Sequence, residues 1–107
     1  MDQDLIDKVI EKTFTCLENE QYSEAKKLLD DALEEDPENV ALLLSRAKLF
    51  RQLQNYSEAF NDLQYILKIN PNHEEAKNMM ELTREILQCQ QLDIYASTNL
   101  NNDPWLD

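Results

Sequence analysis

The sequence predicts an all-α fold, and three observations support that prediction. The chain of 107 residues contains no glycine, the residue that supplies most of the positive-φ positions in tight β-turns and phosphate-binding loops. Leu, Glu, Lys, Ala and Gln are abundant, and all five favour helices. Apolar residues recur at three- and four-residue steps, the period of an amphipathic helix. The hydrophobic fraction of 42% is enough for one small domain.

The chain also repeats itself at an offset of 34 residues. The pentapeptide "QYSEA" at Gln21–Ala25 returns as "NYSEA" at Asn55–Ala59. Further identities at the same offset pair Leu29 with Leu63, Leu33 with Leu67, and Pro37 with Pro71. Matches spread along one fixed offset indicate a duplicated structural unit, and a period of this length is typical of stacked helical arrays.

Each unit is predicted to contain two helices, starting with a helix from about Asp4 to Asn19. The segment "NEQYS" interrupts its apolar pattern, with Asn19 expected to adopt the left-handed cap that glycine usually takes. A second helix is predicted from about Ser23 to Glu35, with small and apolar side chains along one face. The first unit is therefore a helical hairpin.

The second unit repeats this design, and a fifth helix follows it. The third helix is predicted to run from Pro37 to about Leu53, with Asp36 as its N-cap and the proline in its first turn. The fourth spans about Ser57–Ile69, and the fifth begins at Pro71. We expect the fifth helix to end by Ala96, because "STNLNND" is polar and rich in turn-forming residues.

The spacing and residue types resemble the tetratricopeptide repeat (TPR) family. Its characteristic small residue matches Ala25 and Ala59, and its aromatic position matches Tyr22 and Tyr56. Other matching positions are Val9, Thr13, Leu29, Ala32 and Pro37 in the first unit, and Leu43, Ala47, Phe50, Leu63 and Pro71 in the second. The family usually has Leu where this chain has Lys12 and Arg46, and we expect these two residues to extend their aliphatic stems along the apolar surface.

The resemblance implies a right-handed superhelix of antiparallel helix pairs. It places two full repeats at about 6–39 and 40–73 and a capping helix at about 71–92. We therefore expect a TPR domain over 1–92 and a C-terminal tail over 93–107. One unit alone cannot cover its apolar face, so the polar capping helix would cover the second unit.

Charge and hydropathy exclude several partners. The net charge is −12, from 22 acidic and 10 basic residues. Nucleic acids and anionic membranes repel such a surface, whereas a basic or apolar protein partner would suit it. Its apolar runs are far shorter than a membrane span, and its first residues, "MDQDLIDK", are unlike a signal peptide. A cytoplasmic location is the expectation.

No motif in the sequence indicates catalysis. His73 is the lone histidine, and Cys16 and Cys89 both fall in helical apolar patterns, where we expect them to be core residues. The acidic stretches lack the spacing and glycine of a calcium-binding loop. No phosphate-binding loop and no nucleophile with a recognisable base are present. We expect no enzyme activity, no metal and no cofactor, while a hidden enzyme using clustered carboxylates is the weakest alternative.

The family resemblance implies a concave groove lined by the first helix of each pair, which binds a peptide or helix of a partner. The groove positions carried over to this chain are Ile10, Phe14, Leu17, Leu44, Lys48, Arg51, Asn78 and Leu82. A competing interpretation makes Ile10, Phe14 and Leu44 simple core residues. The Lys, Asn and Arg set with which some family members clamp the acidic C-terminus of heat-shock chaperones is absent at the matching positions.

The tail carries apolar and aromatic residues that a disordered segment would usually lack. Its candidate anchors are Tyr95, Trp105 and Leu106. The tail could fold back on its own repeats, reach a second copy or another protein, or remain loose. If it folds back, its carboxylates could pair with Lys48 and Arg51.

The sequence thus predicts a non-catalytic adaptor that binds another protein or peptide. The alternative is a self-associating structural protein, in which the tail or an exposed helix face forms a homodimer.

Overall fold

The computed structural model of the chain describes the backbone of residues 2–102 and the side chains of residues 2–90. It contains five α-helices: α1 (Gln3–Glu18), α2 (Tyr22–Glu35), α3 (Val40–Gln52), α4 (Tyr56–Ile69) and α5 (Glu74–Asn102). The described part of the chain holds no strand. The all-α prediction is confirmed, and four of the helices begin and end within a few residues of the predicted positions.

The helices form two hairpins and a cap. Helix α1 packs on α2, and α3 packs on α4. The hairpins stack through α2 on α3 and α1 on α3, and α5 covers the second hairpin by packing on α4. Stacking is necessary because a single hairpin leaves one apolar side uncovered. The hairpins therefore form the superhelical array that the repeat predicted.

Small residues allow the helices to approach each other. Ala25, Ala47, Ala59 and Ala76 all have no exposed surface. A methyl side chain permits interaxial distances of about 8–10 Å, at which the ridges of one helix enter the grooves of the next. The buried side chains around them form one continuous core that reaches from α1 to α5.

The turn inside each hairpin has the same unusual backbone. Glu20 has φ 60° and Gln54 has φ 64°, in the left-handed region that glycine favours. Asn19 has φ −91°, so its predicted left-handed cap is wrong. The residue after it takes that conformation, which aims the N–H of Gln21 at the carbonyl of Cys16, 2.7 Å away. This is the Schellman arrangement, which satisfies carbonyls at the helix end.

Helix α3 begins later than predicted. It starts at Val40, and the predicted cap Asp36 instead ends α2. Asn39 is the N-cap, because its Oδ1 accepts a hydrogen bond of 3.1 Å from the N–H of Leu42. Pro37 consequently lies in the connecting turn, where it has no ladder hydrogen bond to lose.

Helix α5 begins in the same way, at Glu74 and not at the predicted Pro71. The cap is His73, whose Nδ1 accepts a hydrogen bond of 3.1 Å from the N–H of Ala76. The one histidine of the chain therefore has a structural partner, the free N–H of a helix end.

The far end of α5 also differs from the prediction. The helix continues to Asn102, past the expected end at or before Ala96. Its 29 residues compare with 14 in α4, or about 44 Å against about 21 Å at 1.5 Å per residue. Cys89 is exposed, so its predicted burial is wrong, whereas the burial of Cys16 is confirmed.

Candidate partner-binding groove

The first helices of the two hairpins and the capping helix lie side by side. Helix α1 contacts α3, and an ion pair joins α3 to α5, with Nζ of Lys48 at 2.9 Å from Oε2 of Glu75. These three helices carry all eight residues predicted for the groove. The fold thus brings the predicted positions onto three adjacent helices.

Two large apolar side chains in this set face solvent. Phe14 is 63% exposed and Leu82 is 51% exposed. With Lys48 between them in sequence, they occupy equivalent positions at the 34-residue period. Phe14 is therefore not a core residue, so the simple core interpretation fails for it. Exposed apolar groups of this size are costly to keep in water, and they are typical of binding surfaces when they recur in a row.

The remaining apolar positions belong partly to the core and partly to the surface of the groove. Ile10, Leu17 and Leu44 are partly buried and pack against the core cluster. Each therefore contributes to stability with its buried part, and its other part remains accessible. Asn78 is exposed on α5.

The two cations of the groove have different surroundings. The Lys48 side chain is about half exposed and already paired with Glu75. Arg51 is half-buried, and its Nε has no hydrogen-bond partner within the described part of the chain. A buried donor without a partner costs free energy.

The predicted tail anchors fall outside what the structure describes. Trp105 and Leu106 lie beyond the described backbone, and Tyr95 lies in α5 at a position whose side chain is not described. The predicted pairing of Lys48 and Arg51 with tail carboxylates falls there too.

A charged network that the sequence analysis missed lies between the hairpins. Arg46 was expected to extend along the apolar surface. The sequence did not indicate the partners of its guanidinium: Nε and Nη2 donate to the two carboxylate oxygens of Asp62 at 2.9 and 2.7 Å, and Nη1 donates to Asp30 at 3.1 Å. Asp62 is buried. One guanidinium on α3 thus links α2 and α4 and fixes how the two hairpins meet.

The network shifts the titration of two of its members. Hydrogen bonding by Asp62 is the largest influence on Arg46 and raises the pKa of its guanidinium. Burial is the largest influence on Asp30 and would raise its pKa. The hydrogen bonds and charges of Lys26 and Arg46 together outweigh burial, so the pKa of the Asp30 carboxyl lies below its ordinary value.

A signal for this network was present in the sequence. In the second repeat both Arg46 and Asp62 are charged, and the 34-residue offset places Leu28 of the first repeat at the position of Asp62. A carboxylate at the position of an apolar residue, on the helix that pairs with the helix of Arg46, indicates an ion pair between the two.

Neither a metal-binding cluster nor a membrane-spanning helix occurs among the described residues. In that range no three His, Cys, Asp or Glu residues come together in a way that could hold a metal ion. None of the described helices combines the length and the apolar character needed to cross a membrane.

Stacked helical hairpins with small residues at the crossings and one row of exposed anchors define a helical-repeat array, a class built for contact with other proteins. A family model of the tetratricopeptide repeat matches residues 17–82, and the chain belongs to that family. The family is in general a protein–protein interaction fold.

A comparison with characterised proteins gave a relative in mouse. The chain is 34% identical to sperm-associated antigen 1 of Mus musculus over 68 residues, which are 63% of this chain and 8% of that protein. The similarity therefore covers one small region of a much longer relative.

Proposed function

We propose that this chain is a non-catalytic adaptor that binds a peptide or helix of a partner protein in the groove formed by α1, α3 and α5. The observation that carries the proposal is the row of Phe14, Lys48 and Leu82, which stand at equivalent positions on three neighbouring helices with their side chains about half exposed or more. A peptide crossing the three helices would meet an apolar anchor, a cation and a second apolar anchor.

The chemistry of the groove indicates what such a peptide needs. Two apolar side chains would bury Phe14 and Leu82, which supplies most of the affinity. Backbone carbonyls near the middle would accept from the exposed ammonium of Lys48. The net charge of −12 favours basic residues on either side of that central segment.

Peptides selected from a random display library against the full chain test the proposal. We expect Leu82→Ala to weaken the selected peptides by about tenfold, the factor that corresponds to 1.4 kcal/mol of lost contact. Ile69→Ala is the matched control, because Ile69 is an exposed aliphatic residue on α4, outside the groove. Equal effects of the two variants, or none from Leu82→Ala, would contradict groove binding.

Light scattering of the full chain at high concentration tests the alternative of a homodimer. The adaptor proposal expects a monomer. A dimer that dissociates when residues 93–107 are removed would support self-association through the tail instead.

A further inference from the structure

A second surface, at the outer end of the first hairpin, is separate from most of the groove. Here α1 and α2 enclose an open depression of about 870 Å³. Its lining combines apolar side chains with one cation and two acidic groups, and includes Lys12, Phe14, Cys16, Glu24 and Leu28. We name this depression the end face.

The chain contains its own template for what covers such a face. The positions 34 residues later are Arg46, Phe50, Glu58 and Asp62. There the face is covered by α2 of the preceding hairpin, whose Asp30 reaches Arg46 at 3.1 Å. Lys26 and Asp30 of α2 line one cleft together with those four residues. Covered in this way, Phe50 is only 5% exposed.

The end face repeats this pattern without its cover. Lys12 replaces Arg46, Glu24 replaces Glu58, and Cys16 replaces Phe50. Lys12 is exposed, and among residues 2–90 it forms no ion pair. The thiol is much smaller than the phenyl ring, so the space that Phe50 fills in the second repeat is open in the first. The depression is therefore a stacking surface with unsatisfied charge and unfilled apolar volume.

We propose that the end face binds an amphipathic helix of a partner protein that imitates α2. Such a helix carries a basic residue, a carboxylate four positions later and an apolar residue three positions after that, like Lys26, Asp30 and Leu33. Its carboxylate pairs with Lys12, its basic residue faces Glu24, and a large apolar side chain fills the space above Cys16.

Charge complementarity favours another protein over a second copy of this chain. In the chain the outward face equivalent to that of α2 belongs to α4, where Phe60 and Gln64 replace Lys26 and Asp30. Those residues offer no charge to Lys12 or Glu24. The face is also engaged already, because the guanidinium of Arg84 on α5 lies 5.7 Å from the centre of the Phe60 ring.

The test uses the full chain and a stapled helical peptide with the α2 sequence, Tyr22–Asp36, with the staple on the face opposite Asp30. Calorimetry and amide shifts in an NMR titration report binding. We expect saturable binding with the largest shifts at Lys12, Cys16 and Leu28. Leu28→Ala should weaken it by about tenfold, because the peptide would lose an apolar contact in the depression.

Charge exchange keeps the test specific. Lys12→Glu should weaken binding by about two- to fivefold, the range of a partly exposed ion pair. A peptide with Lys in place of Asp30 should recover the binding that the Lys12→Glu variant loses. Lys27→Glu, an identical charge change at an exposed residue outside the depression, should have no effect.

Three results would overturn the proposal. The first is no saturable binding at about millimolar peptide. The second is binding that changes the amide shifts of α3 and α5 and is lost in Leu82→Ala, since that result places the peptide in the groove. The third is concentration-dependent dimerisation of the chain alone that Leu28→Ala weakens, since that makes a second copy the occupant. Failure of groove binding alone leaves the end face untouched, so the two proposals fail separately.

Discussion

Arg46 and Asp62 form a two-point ion pair between α3 and α4, with nitrogen–oxygen distances of 2.7 and 2.9 Å. The Asp62 side chain is 8% exposed and that of Arg46 is 25% exposed, so both charges have lost much of their hydration. In such a site each charge depends on the other, because an unpaired buried charge is costly. The pair therefore makes the stability of the second hairpin conditional on both residues.

Removing one partner should destabilise the fold. We expect Arg46→Leu to lower the free energy of unfolding by about 3 kcal/mol, because the carboxylate of Asp62 stays buried without its cation. Urea denaturation followed by circular dichroism measures this change. The double variant Arg46→Leu with Asp62→Leu should recover to within about 1 kcal/mol of the original, since apolar replacement of a buried pair is often neutral. A single variant as stable as the original would refute this account.

The outer contact of the same network should depend on pH. The pKa of Asp30 is lower in the folded chain than its ordinary value. Its contribution to stability is therefore complete above about pH 3.9, the ordinary value for Asp, and is lost as the pH falls below that through the folded pKa. We expect the stability difference between the original chain and Asp30→Asn to shrink between pH 6 and pH 2.5.

Comparing those two proteins at each pH removes the effect of the other carboxylates, which both share. A stability difference that stays constant over this range would show that the Asp30 contact contributes nothing.

The groove cation should be replaceable without loss of fold. Lys48 and Glu75 have side chains 53% and 51% exposed, and exposed ion pairs contribute about 0–1 kcal/mol. We expect Lys48→Ala to shift the urea midpoint by an amount equivalent to less than about 1 kcal/mol while weakening selected peptides. A variant that unfolds would assign Lys48 a structural role and make its binding data uninterpretable.

The hairpin turns offer a gain in stability. Gln54 has φ 64°, and a non-glycine residue in that region costs about 1–2 kcal/mol. Glycine avoids this cost, but it loses more conformational entropy on folding, which offsets part of the gain. We expect Gln54→Gly to stabilise the chain by about 0.5–1 kcal/mol in thermal or urea unfolding. Asn19→Gly is the control, because Asn19 has a negative φ and should gain nothing. Equal gains from both would contradict the explanation.

Much of the fold was predictable because period and packing follow directly from residue type. The 34-residue offset, the buried Ala25 and Ala59 and the polar outer face of α5 all correspond to signals visible in the sequence. Helix starts were harder to predict, since Asp36 and Asn39 are both good caps and only the backbone decides between them.

The two candidate binding surfaces, the groove and the end face, could be predicted from the sequence only in part. The family resemblance assigns Phe14 and Leu82 to the groove, but their exposure depends on which helices are neighbours. The role of Arg46 depended on a partner 16 residues away. The end face was not anticipated, because it depends on which described helices cover α1 and on a small thiol, Cys16, at the position of the Phe50 ring.

The difference between Cys16 and Phe50 makes the two sides of the array unlike each other. Helix α5 packs on α4, and its Arg84 lies over the Phe60 ring of that helix. The side of α1 keeps an unfilled hollow. A further helix placed beside α1 would therefore find unfilled apolar volume and the exposed cation of Lys12.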